Sequence, residues 1–517
     1  MKIKALYFFK RFLIVVFLGI MIIVAAILWP LPKLEVPQSH NAILIKSINI
    51  IDVETGAVIS NHDILIKKNI ITKIDSIIHP LQQHFVIDGK DKFIIPGLWN
   101  MHTHSTQHST WLHHPLYIAN GVTGIRDMGQ LNKKDSYWAG SRERLQWNKE
   151  LAQHTRITPR HVLQSSYQMD GESSVPNDFP EFFKLKKEED IKPLLEFYKN
   201  ENVDFIKVYM QIPPKSYRKL ALEAPKYGMH IAGHKPIYLS LEEAIQSGQR
   251  SFEHGRLFMY DCFPGADGLR TSKTWKKFYA KSKPLMVSGF DQKKAIQLMD
   301  LMKKKNAHWV PTLQTLKSDA FAHIATFIDN PNIKYVPTLK RKLWWNPGIK
   351  KAAKKNESAE SQDENLDFYH ASQQHVKMAY QQGVPIMAGT DVTDVNVFAG
   401  FSLHTELEDL TKSGLSNLEA LQTATITPAK YCGLDNKYGT VALGKTADLI
   451  ILDKNPLKNI TYTQKIHGVF LDGIFYNSND IKELKEFTAS LASTFHMNIK
   501  VIFSLISSPL IRVQLAD

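Results

Sequence analysis

The stretch FIIPGLWNMHTH, residues 93–104, decides the fold class of this chain. Its apolar beginning predicts a short buried strand, which the Pro-Gly pair at 96–97 interrupts. His102 and His104 then stand one residue apart, so on an extended backbone their side chains point to the same face. Two imidazoles on one face can bind one metal ion. Two polar residues on an exposed strand edge would give the same pattern.

Length and composition are typical of a globular protein with more than one domain. The chain has 517 residues, of which 44% are hydrophobic and 22% are charged. Its two cysteines, Cys262 and Cys432, form no CxxC motif, which argues against a thiolate metal site or a disulfide framework and leaves a single disulfide open. The net charge of +14 is scattered and often lies beside acidic residues. It therefore predicts a basic surface and no nucleic-acid partner.

The N-terminus has the charge pattern of a membrane anchor. Positive residues in segment 1–11 precede an apolar run without charge at residues 12–29. This asymmetry predicts that segment 1–11 is cytoplasmic and that segment 12–29 crosses the membrane. The rest of the chain would then lie outside the cytoplasm, in a periplasm or at the cell exterior. A cleaved signal peptide, which would release a secreted protein, is the alternative.

The rest of the chain divides into two β-rich flanks and a long alternating middle. The flanks, 42–92 and 437–476, predict one small β-sandwich domain assembled from both ends. The middle, 93–436, alternates strand and helix patterns and predicts a (β/α)8 barrel of the TIM type. No structure is predicted for the tail, 477–517. The eight strand candidates are Ile94–Met101, Thr123–Asp127, His161–Leu163, Phe205–Tyr209, His230–Gly233, Ser251–Glu253, Trp309–Thr312 and Pro385–Ala388.

Five of these strand candidates end in side chains that can bind a metal ion. Barrel enzymes carry their reactive groups at the C-terminal ends of the strands. Singly, each residue has an ordinary explanation, such as a core histidine, a lysine that extends to the surface, or a helix cap. Together, in this order on alternating elements, they predict a metal site. The candidate ligands are His102, His104, Lys207, His234, His254 and Asp391.

The same segments resemble the amidohydrolase superfamily, within it the binuclear branch similar to Xaa-Pro dipeptidases and imidazolonepropionase-like proteins. The resemblance covers roughly residues 42–475, and it implies a barrel with a β-sandwich domain. The matching motifs are PGLWNMHTH (96–104), GVTGIRDMG (121–129), DFIKVY (204–209), AGH (232–234), FEHG (252–255), VPTL (310–313), AGTD (388–391) and TITPAKYCGL…GTVALGKTADLIILD (425–453).

The resemblance also implies the ligand arrangement. Lys207 would be carboxylated and would bridge two divalent ions, because a carbamate is an anionic oxygen ligand whereas an ammonium group cannot coordinate. One ion would be held by His102, His104 and Asp391, and the other by the two remaining histidines. Zinc suits these ligands, and manganese or iron fits the same set. A site with one ion and an unmodified lysine is the alternative.

The activity implied by the resemblance is hydrolysis of a carbon–nitrogen bond in an amide, cyclic amide or dipeptide. A metal-bound hydroxide would attack the carbonyl of a small-molecule substrate, and Asp391 would act as general base. Tyr209 and Arg256 are candidate substrate-binding residues, with core packing and a surface salt bridge as their respective alternatives. The alternative functions are a lactonase or isomerase on the same metal site, or a non-catalytic membrane-tethered binding protein.

Overall fold

A computed structural model of the protein describes residues 2–128, 135–171, 175 and 179–511, and it is a mixed α/β structure as the sequence predicts. The strands are β1 (Ala42–Ile51), β2 (Val58–Lys67), β3 (Ile70–Asp75), β4 (Phe85–Asp88), β5 (Phe93–Pro96), β6 (Leu98–Thr103), β7 (Val122–Asp127), β8 (Arg160–Gln164), β9 (Phe205–Val208), β10 (His230–Gly233), β11 (Ser251–Glu253), β12 (His308–Val310), β13 (Leu449–Leu452), β14 (Ile466–Leu471) and β15 (Ile474–Tyr476). The helices are α1 (Lys2–Leu28), α2 (Ser109–Leu112), α3 (His114–Ala119), α4 (Ser141–Ala152), α5 (Ile191–Asn200), α6 (Pro214–Glu223), α7 (Leu241–Gln246), α8 (Ala266–Thr271), α9 (Trp275–Ser288), α10 (Gln292–Lys304), α11 (Leu313–Phe321), α12 (Ala325–Ile328), α13 (Thr338–Lys340), α14 (Asn346–Lys354), α15 (Ala359–Gln382), α16 (Phe401–Lys412), α17 (Asn417–Thr423), α18 (Ile426–Tyr431), α19 (Ser478–Ser493) and α20 (Phe495–Ser507).

One sheet contains strands from both flanks of the chain. Its order is β15-β14-β13-β5-β1-β2-β3, with β4 paired to β1. The two flanks meet where β13 runs antiparallel to β5 and Leu449 lies opposite Pro96. Because alternate residues of a strand point to the same face, the apolar positions of these strands form a core of their own. Its buried members are Ile43, Ile45, Ile48, Ile50, Ile64, Ile66, Ile71, Ile87, Ile94, Ala447, Leu449, Ile451 and Phe470.

The strand predicted over residues 94–101 is divided into two at Gly97. Strand β5 belongs to the sheet of the flanks, whereas β6 begins a parallel sheet. The Gly97 amide donates a hydrogen bond of 2.8 Å to the carbonyl oxygen of Asp448. A Cβ atom at residue 97 would lie 2.1 Å from the hydroxyl oxygen of Thr123, so a larger residue does not fit without displacing its neighbours. This close approach lets the chain cross from one sheet to the other.

Two parallel sheets, β6-β7-β8 and β12-β11-β10-β9, hold the middle of the chain. Isolated bridges connect β8 to β9, β12 to residue 386, and residue 392 back to β6, so the pairings return to their starting strand. The bridges are Ser165–Phe205, Trp309–Ile386 and Thr103–Val392. The strand predicted at 385–388 is thus reduced to a short bridged segment. Because all these pairings are parallel, the C-terminal ends of the strands lie on the same side.

The N-terminal helix lies apart from the sheets. Its segment Tyr7–Leu28 is long and apolar enough to cross a membrane and is not buried by the rest of the protein. The C-terminal tail forms α19 and α20, and α20 contacts the end of α1. The ammonium group of Lys500 donates a hydrogen bond to the carbonyl oxygen of Ile27. The ring of His496 does the same to the carbonyl oxygen of Trp29, at 2.8 Å.

We expect the substitution Leu449→Ala to lower the free energy of unfolding by about 2–5 kcal/mol, because Leu449 is fully buried where the two flanks pair. The matched control is Leu443→Ala, since Leu443 is 61% exposed and its loss should change stability by less than about 0.5 kcal/mol. Denaturant unfolding of the full chain in mild detergent, followed by tryptophan fluorescence, measures both. Equal losses in the two variants would contradict a core shared by the flanks.

Candidate functional site

The C-terminal ends of the parallel strands surround one cavity of about 310 Å³. Every candidate ligand predicted from the sequence lines this cavity, and so do Tyr209 and Arg256. The ligands lie within or directly after strands that neighbour one another in space, which brings together residues far apart in the sequence. The candidate ligands are His102, His104, Lys207, His234, His254 and Asp391.

The carboxylate of Asp391 lies at the centre of this group. Its Oδ1 atom is 3.1 Å from Nε2 of His104 and 3.4 Å from Nε2 of His102. Its Oδ2 atom is 3.8 Å from Nδ1 of His254. Donor atoms of His102, His254 and Asp391 all lie within 4.8 Å of one another. This group of close donors therefore includes His254, which the resemblance assigns to a second ion, whereas His104 contacts the group through Asp391.

The ring of His234 stands next to this group. Its centre is 4.4 Å from the ring centre of His254 and 4.2 Å from that of Tyr209. Burial and the charge of neighbouring groups hold the pKa of His234 well below its ordinary value, so the ring is neutral. Burial raises the pKa of Tyr209 to about 12, so its hydroxyl stays protonated and can donate a hydrogen bond into the cavity.

The side chain of Lys207 reaches the cavity from β9. The residue is 2% exposed, and its ammonium group has no hydrogen-bond partner among the described residues. Burial lowers the pKa of Lys207 to about 8, although the charges of Asp391 and Glu253 raise it. The nitrogen of Lys207 is therefore available to a ligand or a modifying group.

The residues present fit a divalent metal ion. In the described part of the chain, Nε2 of His102 and Nδ1 of His234 are buried without a hydrogen-bond partner, which is costly unless another ligand satisfies them. Burial lowers the pKa of His104 to about 4 and that of His254 to about 3. These imidazoles are therefore neutral, which is the form that binds metals. Neutral imidazoles with one carboxylate suit zinc and similar transition metals.

Residues with positive φ hold the side chains that face the cavity. His254 has φ of 76°, Thr312 has φ of 40° and Asp391 has φ of 62°. Such conformations are strained for residues other than glycine and are concentrated at functional sites. Nδ1 of His254 lies 2.9 Å from the hydroxyl oxygen of Thr312, and the Asp391 amide donates to the carbonyl oxygen of His102 at 2.9 Å. These bonds support the strained turns.

A buried ion pair, whose residues are not among the predicted site residues, orients His102. Nδ1 of His102 donates a hydrogen bond of 2.8 Å to Glu253, so Nε2 keeps its lone pair and points toward Asp391. The guanidinium group of Arg126 donates to both carboxylate oxygens of Glu253, at 2.8 and 2.9 Å. Burial raises the pKa of Glu253, but Arg126 and His102 together lower it to about 2. Glu253 is therefore an anion that fixes the tautomer of His102.

The sequence contains a signal for this pair. Arg126 lies inside the predicted strand Thr123–Asp127, and Glu253 ends the predicted strand Ser251–Glu253. A charged residue inside a buried strand is stable only when an opposite charge is close to it. Two such residues of opposite sign on parallel strands of one barrel predict an ion pair, and this inference requires only the strand assignments.

The substitution Glu253→Gln should lower metal affinity by about 10- to 100-fold, because it removes the anion that orients His102. It should also destabilise the fold, because the buried charge of Arg126 loses its partner. Ser251→Ala is the matched control, since it removes hydrogen bonds of 2.7 Å to Glu253 and 2.9 Å from Arg126 and keeps both charges. Competition with a chromophoric chelator measures the affinity. Unchanged affinity in the folded Glu253→Gln variant would contradict the orienting role.

Comparison with known proteins places the chain among amidohydrolases. The model of the amidohydrolase family matches residues 206–475. The imidazolonepropionase of Thermoplasma volcanium is 33% identical over 99 residues, which are 19% of this chain and 23% of that protein. The imidazolonepropionase of Thermoplasma acidophilum is 32% identical over 83 residues, 16% of this chain and 20% of that protein. The chain thus matches about a fifth to a quarter of the length of these curated relatives.

Solved structures show the same fold over most of the chain. A bottromycin amidohydrolase has a TM-score of 0.67 and 19% identity, with 91% of this chain and 93% of that chain covered. A Xaa-Pro dipeptidase with methionine bound in its active site has a TM-score of 0.58 and 19% identity, with 84% of this chain and 100% of that chain covered. The resemblance inferred from the sequence motifs is confirmed: the chain belongs to the amidohydrolase family.

Proposed function

We propose that the protein is a metal-dependent hydrolase that cleaves a carbon–nitrogen bond in a small amide, cyclic amide or dipeptide. The observation that carries the proposal is the convergence of imidazoles and one carboxylate on a single cavity at the strand ends. The names of the similar proteins, imidazolonepropionase, amidohydrolase and Xaa-Pro dipeptidase, support this class of substrate. The unpaired nitrogens of His102 and His234 in the cavity support a site that binds a ligand.

We propose that the parallel strands form a (β/α)8 barrel and that the sheet of the flanks forms the β-sandwich domain beside it. The ring of pairings that returns to β6 supports the barrel. The separate core of the flank strands supports the second domain. This arrangement explains why the chemistry is concentrated at one end of the strands.

The metal ligands we propose are the six residues predicted from the sequence. His102, His254 and Asp391 would hold one divalent ion, with His104, His234 and Lys207 available to a second. Carboxylated Lys207 would serve as the bridging ligand, and zinc is the metal that we expect. When bound, such ions lower the pKa of water and polarise the carbonyl of the substrate.

Asp391 is the general base in this proposal. Burial raises the pKa of Asp391, but contact with His102 and His104 holds it well below its ordinary value, so the carboxylate is ionised at neutral pH. It accepts the proton of the attacking water and then transfers that proton to the leaving nitrogen. Tyr209 donates a hydrogen bond from its protonated hydroxyl to the substrate. The guanidinium group of Arg256 is hydrogen-bonded to Tyr279 and places a positive charge at the cavity wall.

We expect Asp391→Asn to lower turnover by about 10²- to 10⁴-fold, because the amide keeps the size of the side chain and removes the base. Metal content should fall less than turnover. The assay set is Xaa-Pro dipeptides, N-acyl amino acids, cyclic amides and lactones, tested on the metal-loaded full chain. Asp300→Asn, on the exposed face of α10, is the control and should leave turnover unchanged. Wild-type turnover in metal-loaded Asp391→Asn would remove this residue from the mechanism.

We propose that α1 anchors the protein in a membrane with the catalytic domain outside the cytoplasm. The length and apolar character of Tyr7–Leu28 and its lack of burial support the anchor. The positive residues at the start of the chain support an N-terminus inside the cell. The small-molecule substrate would then be met outside the cytoplasm. A signal peptide that is removed after export is the alternative.

Protease added to intact cells or spheroplasts should therefore digest the domain while a cytoplasmic marker stays intact. N-terminal sequencing of the isolated protein tests whether α1 is retained as an anchor. A mature chain that retains α1 supports the anchor, whereas a chain that begins near Ile27 shows that the segment is a cleaved signal. Full protection of the domain would contradict the orientation.

A further inference from the structure

We propose that Lys340 binds a carboxylate of the substrate, so that the preferred substrates are small amides with a carboxylate beside a compact apolar group. The inference rests on the proposed hydrolase function and assigns a substrate class to the same site. Lys340 ends α13, in the long segment between β12 and the bridge at Ile386. None of the sequence motifs that mark the family includes this residue.

The side chain of Lys340 lies between two adjacent cavities. It lines the cavity of about 310 Å³ that contains the candidate ligands, and it also lines a smaller cavity of about 40 Å³. Tyr137 and Thr393 line both cavities, so the two spaces are neighbours. The wall of the smaller cavity is mainly apolar, with Leu116 and Phe398 among its residues. A molecule at the candidate metal site can therefore place an apolar group in the smaller cavity and a polar group against Lys340.

The ammonium group of Lys340 has no counter-ion. The residue is 7% exposed, and its ammonium forms no ion pair or hydrogen bond with any residue that the structure describes. The ring of Tyr137 lies beside it, with its centre 5.6 Å from the nitrogen. A buried ammonium group without an anion is costly. This cost favours a role in which a ligand supplies the anion.

Two other buried cations, outside the group of candidate ligands, are paired. The ammonium of Lys235, in a residue that is 2% exposed, lies 2.8 Å from the carboxylate of Asp261. The guanidinium group of Arg126 is paired with Glu253 in the same way. The protein therefore neutralises these charges inside its core. Lys340 differs from both because it faces a cavity.

In the larger cavity, Asp391 and Asp394 share the lining with Lys340 but form no ion pair with it. The residues that line the smaller cavity with Lys340 include no acidic side chain. His108 and His113 line the smaller cavity with it. Burial and the charges of Lys500 and Lys340 lower the pKa of His108 to about 4, and burial with Lys340 lowers the pKa of His113 to about 3. Both rings are therefore neutral. Nδ1 of His108 is buried without a hydrogen-bond partner in the described part of the chain, which leaves it free to bond with a bound molecule.

The dimensions of the smaller cavity limit the apolar group. A volume of about 40 Å³ holds roughly three water-sized groups, which corresponds to a side chain of three or four carbons. The backbone of this segment is held in place, because the amide of Leu339 donates a hydrogen bond of 2.6 Å to the side chain of Asn498 on α20. The site thus fits an N-acyl derivative of a branched amino acid better than a long acyl chain.

The test compares binding of N-acetyl-L-leucine with that of N-acetyl-L-leucinamide, which has the same shape without the charge. Calorimetry on the metal-loaded full chain with Asp391→Asn, which should slow turnover, is expected to give an affinity for the acid at least about tenfold higher than for the amide. Lys340→Met should remove this preference while leaving the affinity for the amide unchanged. Lys342→Met, at an exposed neighbouring position, is the matched control and should retain the preference.

Equal affinity for the acid and the amide in the Asp391→Asn protein would overturn the inference. A preference that survives in Lys340→Met would also overturn it and would leave Lys340 as a cation packed on Tyr137. We expect Lys340→Met to fold at least as stably as the parent, because it removes an unpaired buried charge. Lys340→Gln repeats the test with a second uncharged side chain of similar length. If no amide is hydrolysed but the acid is preferred, the hydrolase proposal fails and the carboxylate site stands.

Discussion

The ion pair between Arg126 and Glu253 determines the position of the His102 imidazole, which lines the cavity. Arg126 also donates to the carbonyl oxygen of Met101 at 2.6 Å, so the pair fixes the backbone just before His102 as well as its ring. Both charged side chains are fully buried among parallel strands. Removing one partner would leave a charge without compensation, at a cost of about 3–5 kcal/mol. The pair therefore couples the stability of the strands to the orientation of the ligand.

The order of strands and the residues at their ends could be predicted from the sequence, because both depend on local patterns. Histidines after apolar runs, such as His234 and His254, mark strand ends without knowledge of any long-range contact. The division of one predicted strand at Gly97 depends on the approach of Thr123, which no local pattern contains. Lys340 and the tail helices were also not predicted, because their positions follow from packing between distant segments.

Some of the buried nitrogen atoms that line the cavity have no hydrogen-bond partner among the described residues. Elsewhere the protein pairs buried charges such as Lys235 within its own structure. Around the cavity, His102, His234 and Lys340 each keep a nitrogen without a hydrogen-bond partner among the described residues. Each such atom has a cost in the folded state that a bound metal or substrate would offset. The stability of the protein should therefore depend on what the cavity holds.

Helix α20 connects the end of the N-terminal helix to the wall of the cavity. At one end of α20, the ring of His496 forms a hydrogen bond with the carbonyl oxygen of Trp29, just after α1. At the other end, Leu505 lines the cavity. A helix rises about 1.5 Å per residue, so these two contacts are separated by roughly 14 Å along the axis. With α1 inserted in a bilayer as proposed, the part of the cavity lined by Leu505 would lie within roughly 14 Å of the membrane surface. Amphiphilic molecules concentrated at that surface would then reach the cavity by lateral diffusion over the membrane, without first dissolving in the surrounding water.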